Sequence, residues 1–152
     1  QRAIAGFGMP VAWTDPVVEG GTDLEDLLAG SDVVSLHCPR TPGTRGLIDA
    51  AALALMPRGS YVVNTAGGEI VDEAALVAAL ESGHLAGAAL DVFATEPLPR
   101  DSPLLAAPNL LLTPHLLLKA KRSNNFFNLS YKKPLVLTGG FFSPALCSID
   151  LY

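Results

Sequence analysis

Short apolar runs alternate with segments of helical character along most of the chain. Five runs rich in Val, Leu or Ala predict strands, and their near-continuous hydrophobicity is typical of strands that are buried on both faces. These runs lie at residues 11–14, 33–36, 61–63, 86–90 and 110–112. Such a pattern favours a sheet covered on both sides by other elements.

The segments between the runs carry helix start and stop signals. Thr22 and Glu25 form a possible capping box ahead of a leucine-rich segment. Asp49 is a candidate N-cap for a helix over residues 50–55, which Pro57 would close. Each predicted helix therefore lies between two predicted strands.

The clearest helical signal covers residues 73–82, with Asp72 as the N-cap and Gly83 just past the end. Strands that alternate with helices of this length pair in parallel, because the helix returns the chain to the same end of the sheet. The predicted fold class is therefore α/β, with a doubly wound parallel sheet. In such sheets ligands bind at the carboxyl ends of the strands.

Polar and small residues follow the predicted strands, and we expect them to meet at one rim of the sheet. They are Asp15; His37, Cys38 and Pro39; Asn64, Thr65, Ala66 and Gly67; Asp91; and Thr113, Pro114 and His115. This set contains the candidate functional residues.

Composition narrows the class of protein. The 152 residues are 49% hydrophobic and 16% charged, which predicts one compact soluble domain. The longest apolar run, 110–118, is too short and too interrupted for a membrane span, and residues 1–8 do not resemble a secretory signal, so we expect a cytoplasmic protein that does not bind membranes. Cys38 and Cys147 lack ligand spacing, so neither a disulfide framework nor a metal site is indicated.

Charge is divided unevenly. Residues 1–115 hold five Lys or Arg against fourteen Asp or Glu, whereas residues 116–152 hold five against one. An acidic body disfavours nucleic-acid binding, which needs clustered cations, and the short basic tail carries no recognisable nucleic-acid-binding motif. The chain thus divides into residues 1–115 and a divergent tail over 116–152, to which no architecture is assigned.

Several motifs occur in a characteristic order. They are Leu36-His37-Cys38-Pro39, Gly46-Leu47-Ile48, the stretch from Asn64 to Glu73, Leu90-Asp91-Val92-Phe93, Glu96-Pro97 and Pro114-His115. On these motifs the chain resembles the NAD-dependent D-isomer-specific 2-hydroxyacid dehydrogenases, among them the phosphoglycerate, D-lactate, glyoxylate and formate dehydrogenase relatives. The resemblance covers residues 3–115 and implies a partial Rossmann-like NAD-binding domain. It also implies NAD as the cofactor, a 2-hydroxy or 2-keto acid as the small-molecule partner, and assembly as a homodimer.

The resemblance assigns cofactor roles to two carboxylates. Asp15 would accept hydrogen bonds from the adenosine ribose hydroxyls and so favour NAD over its 2′-phosphorylated form. Asp91 would accept the carboxamide N–H of the nicotinamide. For each residue the alternative is an ordinary turn residue, because Asp commonly caps turns.

The same resemblance implies that four further residues lie along the cofactor. A fifth position nearby departs from the family. Cys38 and Pro39 would lie beside it, and Thr65 and Ala66 would border the nicotinamide ribose and ring. Gly67 stands where active members of the family carry an arginine that grips the substrate carboxylate, and it offers only a backbone N–H there.

His115 would be the catalytic acid–base group and Glu96 would orient its imidazole, because a nearby carboxylate favours the imidazolium and fixes the ring. His37 and His84 lack such support and are interpreted as structural.

Loss of the arginine clamp is expected to lower turnover by about a hundredfold or more. Arg40, Arg45 or a substrate without that need could compensate.

The family's first strand and its glycine-rich turn have no counterpart in this sequence. That strand would lie between the runs at 11–14 and 33–36, so we expect either an unpaired edge, which invites self-association, or a rearrangement that closes the gap. The family's substrate domain is also missing.

Two interpretations follow: a cofactor domain that supports hydride transfer with a 2-hydroxy acid, or a non-catalytic nucleotide-binding or interaction module, a pseudoenzyme.

Overall fold

The computed structural model of the chain describes residues 8–113 and the strand 135–139. Six strands form one sheet there, in the order β1-β6-β2-β3-β4-β5, and every neighbouring pair is parallel. They are β1 (Trp13–Thr14), β2 (Val33–His37), β3 (Ser60–Asn64), β4 (Leu85–Leu90), β5 (Leu110–Leu112) and β6 (Leu135–Gly139). The predicted doubly wound parallel sheet is therefore confirmed, and the five predicted strands are found. Only the run at 11–14 forms a shorter strand than expected.

Within residues 8–113, three helices connect the strands: α1 (Leu24–Ala29), α2 (Ala50–Leu55) and α3 (Glu73–Glu81). The predicted caps at Asp49 and Asp72 are confirmed, because the first carboxylate accepts one backbone N–H of the first helical turn and the second accepts two. The predicted capping box at Thr22 is wrong. Helix α1 begins one residue later than that box requires, and the carboxylate of Asp23 accepts the N–H of Glu25.

The position between β1 and β2, where the sequence suggested a missing strand, is filled by β6. Residues 135–139 of β6 pair with residues 33–37 of β2, and residues 137 and 138 also pair with β1. Of the two expected outcomes, an exposed edge or a closed gap, the structure shows the second. The gap is closed by backbone that lies in the part of the chain to which no architecture was assigned.

The core lies between the sheet and the helices. Leu27 and Leu28 of α1, Leu53 of α2 and Leu76 of α3 are almost fully buried, as is Val34 on the central strand β2. Burying a side chain of this size stabilises a fold by about 1.5 to 3 kcal/mol. The packed core holds the carboxyl ends of the strands in fixed relative positions. None of the helices in the described part of the chain has the length and hydrophobicity to span a membrane.

Candidate functional site

The carboxyl ends of the parallel strands form one rim, and most predicted site residues lie there. Asp15 follows β1, Cys38 and Pro39 follow β2, Thr65, Ala66 and Gly67 follow β3, and Asp91 follows β4. Parallel pairing puts these ends on the same edge of the sheet. Glu96 lies on the loop after β4. Pro114 and His115 lie outside the described residues, so the predicted catalytic histidine has no described position.

Asn64, the last residue of β3, shapes the loop that follows it. Its buried side chain donates from Nδ2 to the carbonyl of Gly67 at 2.9 Å. Its Oδ1 accepts the N–H groups of Ala66 at 3.0 Å and Gly67 at 3.3 Å. One amide therefore fixes the loop on both sides of Ala66. The backbone N–H of Gly67, the only hydrogen-bond donor that this residue has, is directed toward Asn64.

Gly68 joins this loop to the loop after β4. A Cβ atom built on Gly68 would lie 1.8 Å from the carbonyl carbon of Phe93 and 2.3 Å from the backbone nitrogen of Ala94. No side chain fits at that distance, so the two backbones touch only because residue 68 is glycine. The carboxylate of Glu73 also accepts the N–H of Ala94 at 2.7 Å. The loop after β4 is thus held against α3 and against the 3-10 helix Gly68–Ile70.

A cavity of about 340 Å³ lies where the two loops meet. Its lining residues are Arg40, Ala66, Gly67, Gly68, Val92, Phe93, Ala94 and Glu96. The structure therefore brings the predicted residues Ala66, Gly67 and Glu96 together. Glu96 accepts the N–H of Phe93 at 3.0 Å through Oε1, which holds its carboxylate beside the cavity.

Several lining residues were missed from the sequence. Val92, Phe93 and Ala94 carry no polar signal, and their positions follow from the contact that Gly68 permits. From the sequence, Arg40 is one of two arginines that could compensate for the missing clamp, and the structure places it in the cavity lining. The Gly67-Gly68 pair was the available signal, because adjacent glycines often mark a close approach of two backbones.

Asp91 is buried at the end of β4. The hydroxyl of Thr113 donates to its Oδ1, and its own backbone N–H donates to the carbonyl of Asn64 at 3.0 Å. The carboxylate thus anchors the chain after β5, two residues before His115 in the sequence. The bond from Thr113 connects the end of β4 with the residue after β5, which are far apart in the sequence, and does not close a local turn.

Asp15 stabilises a local turn. Its Oδ1 accepts the N–H groups of Val17 at 2.8 Å and Val18 at 3.1 Å. These bonds orient the carboxylate at the end of β1. The same geometry agrees with an ordinary turn residue before Pro16, and it also presents a fixed carboxylate at the rim.

The two described histidines have partners within the fold. The Nε2 atom of His37 lies 2.9 Å from the hydroxyl oxygen of Ser35, and that of His84 lies 2.9 Å from the carbonyl oxygen of Leu53. Burial lowers the pKa of His37, because a charged imidazole is poorly solvated there. Both contacts agree with the structural interpretation.

Two arginines surround Glu69 near the cavity. The Nη2 atom of Arg45 lies 2.6 Å from Oε1 of Glu69, whereas the Nη1 atom of Arg40 lies 3.8 Å from Oε2. The hydrogen bond from Arg45 and the two positive charges lower the pKa of Glu69. The carboxylate therefore stays ionised and pairs mainly with Arg45.

The residues at the rim fit the chemistry of a dinucleotide. A ribose diol needs an oriented carboxylate, which Asp15 provides at the end of β1. A carboxamide needs an acceptor, and Asp91 places one at the end of β4. Between them the loop of Ala66 and Gly67 carries little side-chain bulk, so a flat ring could approach the backbone.

Comparison with known proteins shows the family of the chain. The family model for the D-isomer specific 2-hydroxyacid dehydrogenase, NAD binding domain, matches residues 1–116. The D-3-phosphoglycerate dehydrogenase of Mycobacterium bovis is 48% identical over 124 residues, which are 76% of this chain and 23% of that protein.

Solved structures give the same result. A D-isomer specific 2-hydroxyacid dehydrogenase from Xanthobacter autotrophicus Py2, in complex with NADPH and MES, is 58% identical with a TM-score of 0.59; the match covers 61% of this chain and 30% of that one. The NAD-dependent formate dehydrogenase from Staphylococcus aureus, in complex with NAD, is 42% identical with a TM-score of 0.61, covering 62% and 29%.

The chain spans about a quarter to a third of the length of these relatives. What it shares with them is the nucleotide-binding part, and the model match covers most of the chain. The chain therefore belongs to the D-isomer specific 2-hydroxyacid dehydrogenase family, through its NAD-binding domain.

Proposed function

We propose that this chain binds NAD along the rim of its sheet and supports hydride transfer between NAD and a 2-hydroxy or 2-keto acid. The observation that carries the proposal is the order of groups along the rim. An oriented carboxylate at Asp15, a small loop at Ala66 and a buried carboxylate at Asp91 follow strands of one parallel sheet. Asp15 follows β1 and Asp91 follows β4, so the two carboxylates lie at separate strand ends of one rim, where a dinucleotide binds in sheets of this kind.

The two ends of the cofactor are assigned to the two carboxylates. Asp15 accepts hydrogen bonds from the adenosine ribose hydroxyls, and a 2′-phosphate would meet a like charge there. NAD is therefore preferred over its phosphorylated form. Asp91 accepts the carboxamide N–H and thereby sets which face of the nicotinamide is directed to the substrate.

Between these ends the chain supplies shape. Cys38 and Pro39 at the end of β2 lie beside the cofactor, and Thr65 and Ala66 border the nicotinamide ribose and ring. Gly67 leaves the space beside the ring open to a substrate. Because Asn64 fixes this loop from inside the fold, the surface facing the nicotinamide is preorganised.

Proton transfer is assigned to His115, with Glu96 as its orienting partner. When bound, NAD supplies or accepts the hydride. His115 gives a proton to the keto oxygen in the reducing direction and takes one from the hydroxyl in the oxidising direction. Glu96 supports this role because its carboxylate lines the cavity beside Gly67. Homodimer assembly and cytoplasmic localisation stay predictions.

Cofactor binding can be measured through Trp13, the only tryptophan, which lies in β1 two residues before Asp15. Energy transfer from Trp13 to bound NADH should give a saturable signal. Asp15→Asn keeps the shape and removes the charge, so we expect about tenfold weaker NADH binding. Glu19→Gln, an exposed change near Asp15 in sequence, is the matched control. Equal affinity in Asp15→Asn would contradict the role of this carboxylate.

Turnover separates the enzyme from the pseudoenzyme. Purified chain is mixed with NADH and a panel of 2-keto acids, and absorbance loss is followed beside His115→Ala. A rate that His115→Ala abolishes supports hydride transfer. The second candidate, a non-catalytic nucleotide-binding module, is favoured by Gly67; it gains support if the native chain binds NADH without turnover and only Gly67→Arg turns over. Absence of NADH binding in both variants would overturn the proposal.

A further inference from the structure

We propose that Arg40 holds the substrate carboxylate in place of the side chain that is missing at residue 67. This inference rests on the proposed function and names the group that would select 2-keto acids. The feature that carries it is position: Arg40 and Gly67 line the same cavity, together with Glu96.

The Cβ atom of Arg40 lies next to the position that a Cβ atom of residue 67 would occupy. A Cβ built on Gly67 would lie 3.4 Å from Cβ of Arg40 and 3.3 Å from Cδ1 of Ile70. The stem of the Arg40 side chain therefore starts at the wall from which an arginine at 67 would project. A guanidinium on a flexible stem can reach the same cavity from there, because the two starting points are in van der Waals contact.

The two arginines near the cavity differ in how firmly they are held. Arg45 makes a hydrogen bond to Glu69 with a distance of 2.6 Å between Nη2 and Oε1. The corresponding distance for Arg40 is 3.8 Å, which is too long for a hydrogen bond. Arg45 also does not line the cavity. Turning Arg40 toward a ligand would break no hydrogen bond to Glu69, whereas turning Arg45 would break a charge-assisted one.

The backbone around Arg40 is nevertheless fixed. The hydroxyl of Thr44 accepts the N–H of Thr41 at 2.8 Å and donates to the carbonyl of Pro39 at 2.7 Å. One hydroxyl therefore joins the residues on both sides of Arg40, while 65% of the Arg40 side chain is exposed. The base of the side chain is held and its guanidinium is accessible to a ligand.

The chemistry of the ligand follows from the guanidinium. Its planar fork pairs with a carboxylate through two parallel hydrogen bonds, a geometry that a single backbone N–H cannot supply. The N–H of Gly67 also already faces Asn64 at 3.3 Å. A cavity of about 340 Å³ accommodates a small 2-keto acid. A carboxylate adjacent to the reacting carbonyl is thus the group that Arg40 would bind.

The test uses the full chain and compares pyruvate with methyl pyruvate, which lacks the negative charge. Dissociation constants are measured by calorimetry with and without NADH. Arg40→Gln should weaken pyruvate binding by about tenfold and leave methyl pyruvate within about twofold. Arg45→Gln is the matched control and should leave pyruvate binding within about twofold. Adding Gly67→Arg to Arg40→Gln should restore pyruvate affinity.

Three results would overturn the inference: equal pyruvate affinity in Arg40→Gln and the native chain, an equal loss in Arg45→Gln, or no pyruvate binding by the native chain. Thermal unfolding of each variant checks that folding is unchanged. Trp13-to-NADH energy transfer reports the proposed function separately. If NADH binds while pyruvate ignores Arg40, the inference fails and the cofactor site stands. If NADH does not bind, the cofactor site fails, and the NADH-free pyruvate titration still decides the role of Arg40.

Discussion

The strands β3 and β4 lie on one side of the sheet and the strands β1, β6 and β2 lie on the other, and different interactions hold each side together. At β3 and β4, side chains such as Asn64 and Glu73 bind backbone groups of the adjoining loops, and Gly68 lets those loops touch. At β1 and β2, the intervening strand is β6, which comes from the other end of the sequence and is joined by parallel backbone pairing. The structure of the first side depends on specific side chains. That of the second depends on a strand that pairs between β1 and β2.

The side of β3 and β4 carries the candidate site, whereas β6 on the other side completes the sheet. The cavity and most cofactor-binding candidates lie on the side of β3 and β4, where side-chain hydrogen bonds and a close backbone approach hold the loops. On the other side many sequences could supply backbone hydrogen bonds to β2, because ladder bonds do not depend on side-chain identity. Substitutions that remove a backbone donor should therefore be the damaging ones in β6, and substitutions that add bulk should be the damaging ones at the loops.

Val136→Pro should have the largest effect on stability. Val136 pairs with Val34 of β2 in the centre of the sheet, and proline removes an N–H and is excluded from central strands. We expect a loss of about 3 kcal/mol or more in the free energy of unfolding, measured with urea. Light scattering should also show self-association, because β1 and β2 would expose unpaired edges.

Val136→Ala is the control for this change, because it shortens the side chain and keeps the N–H. It should retain most of the stability that proline removes. Identical urea midpoints for the proline and alanine variants would mean that β6 does not pair in the centre of the sheet. That outcome would remove the contrast between the two sides.

Gly68→Ala should have the next largest effect, and Gly67→Ala is its matched neighbour. The added Cβ at 68 would lie 1.8 Å from the backbone of Phe93, whereas at 67 the nearest atom is Cδ1 of Ile70 at 3.3 Å. Overpacking against backbone costs about 1 to 3 kcal/mol, and a flexible side-chain end can yield instead. Urea unfolding should show a clear loss for Gly68→Ala and a small change for Gly67→Ala. Equal losses would show that the two loops are not locked through residue 68.

The smallest expected effect concerns pH and His37. Burial lowers the pKa of His37 in the folded state, so the unfolded chain binds more protons as the pH falls. The contribution is fully favourable above the ordinary histidine pKa and is lost as the pH drops through it toward the lower folded value. His37→Asn should therefore flatten part of the fall in thermal stability between about pH 7 and pH 5. An unchanged pH profile would contradict this assignment.

Local sequence signals predicted the side of the sheet that carries the site. Asp49 and Asp72 cap their helices as predicted, and the apolar runs mark β2, β3, β4 and β5 closely. These features depend on neighbours in the sequence, where spacing and residue type carry the information. The resemblance to the dehydrogenase family implies that Ala66, Gly67 and Glu96 lie near the nicotinamide, and these three residues line one cavity.

Other features depend on contacts between distant parts of the chain, and the sequence did not reveal them. Nothing local to residues 135–139 indicates that their partners are β1 and β2, because a parallel pairing register is set by the whole sheet. The sequence offers Arg40 and Arg45 equally as replacements for the missing clamp, and only the structure shows that Arg40 lines the cavity with Gly67. Thr22 and Asp23 both satisfy the N-cap preference, so the sequence does not decide between them. The helix begins at Leu24, which makes Asp23 the N-cap.

The most direct test of the central claim is an NADH titration of the isotopically labelled chain, followed by amide chemical shifts. We expect saturable changes concentrated at Asp15, Cys38, Thr65, Ala66 and Asp91, because these residues lie at the carboxyl rim. Helix α1 and the amino ends of the strands should change little. Shifts clustered away from the rim, or none at millimolar NADH, would contradict a nicotinamide site at the ends of these strands.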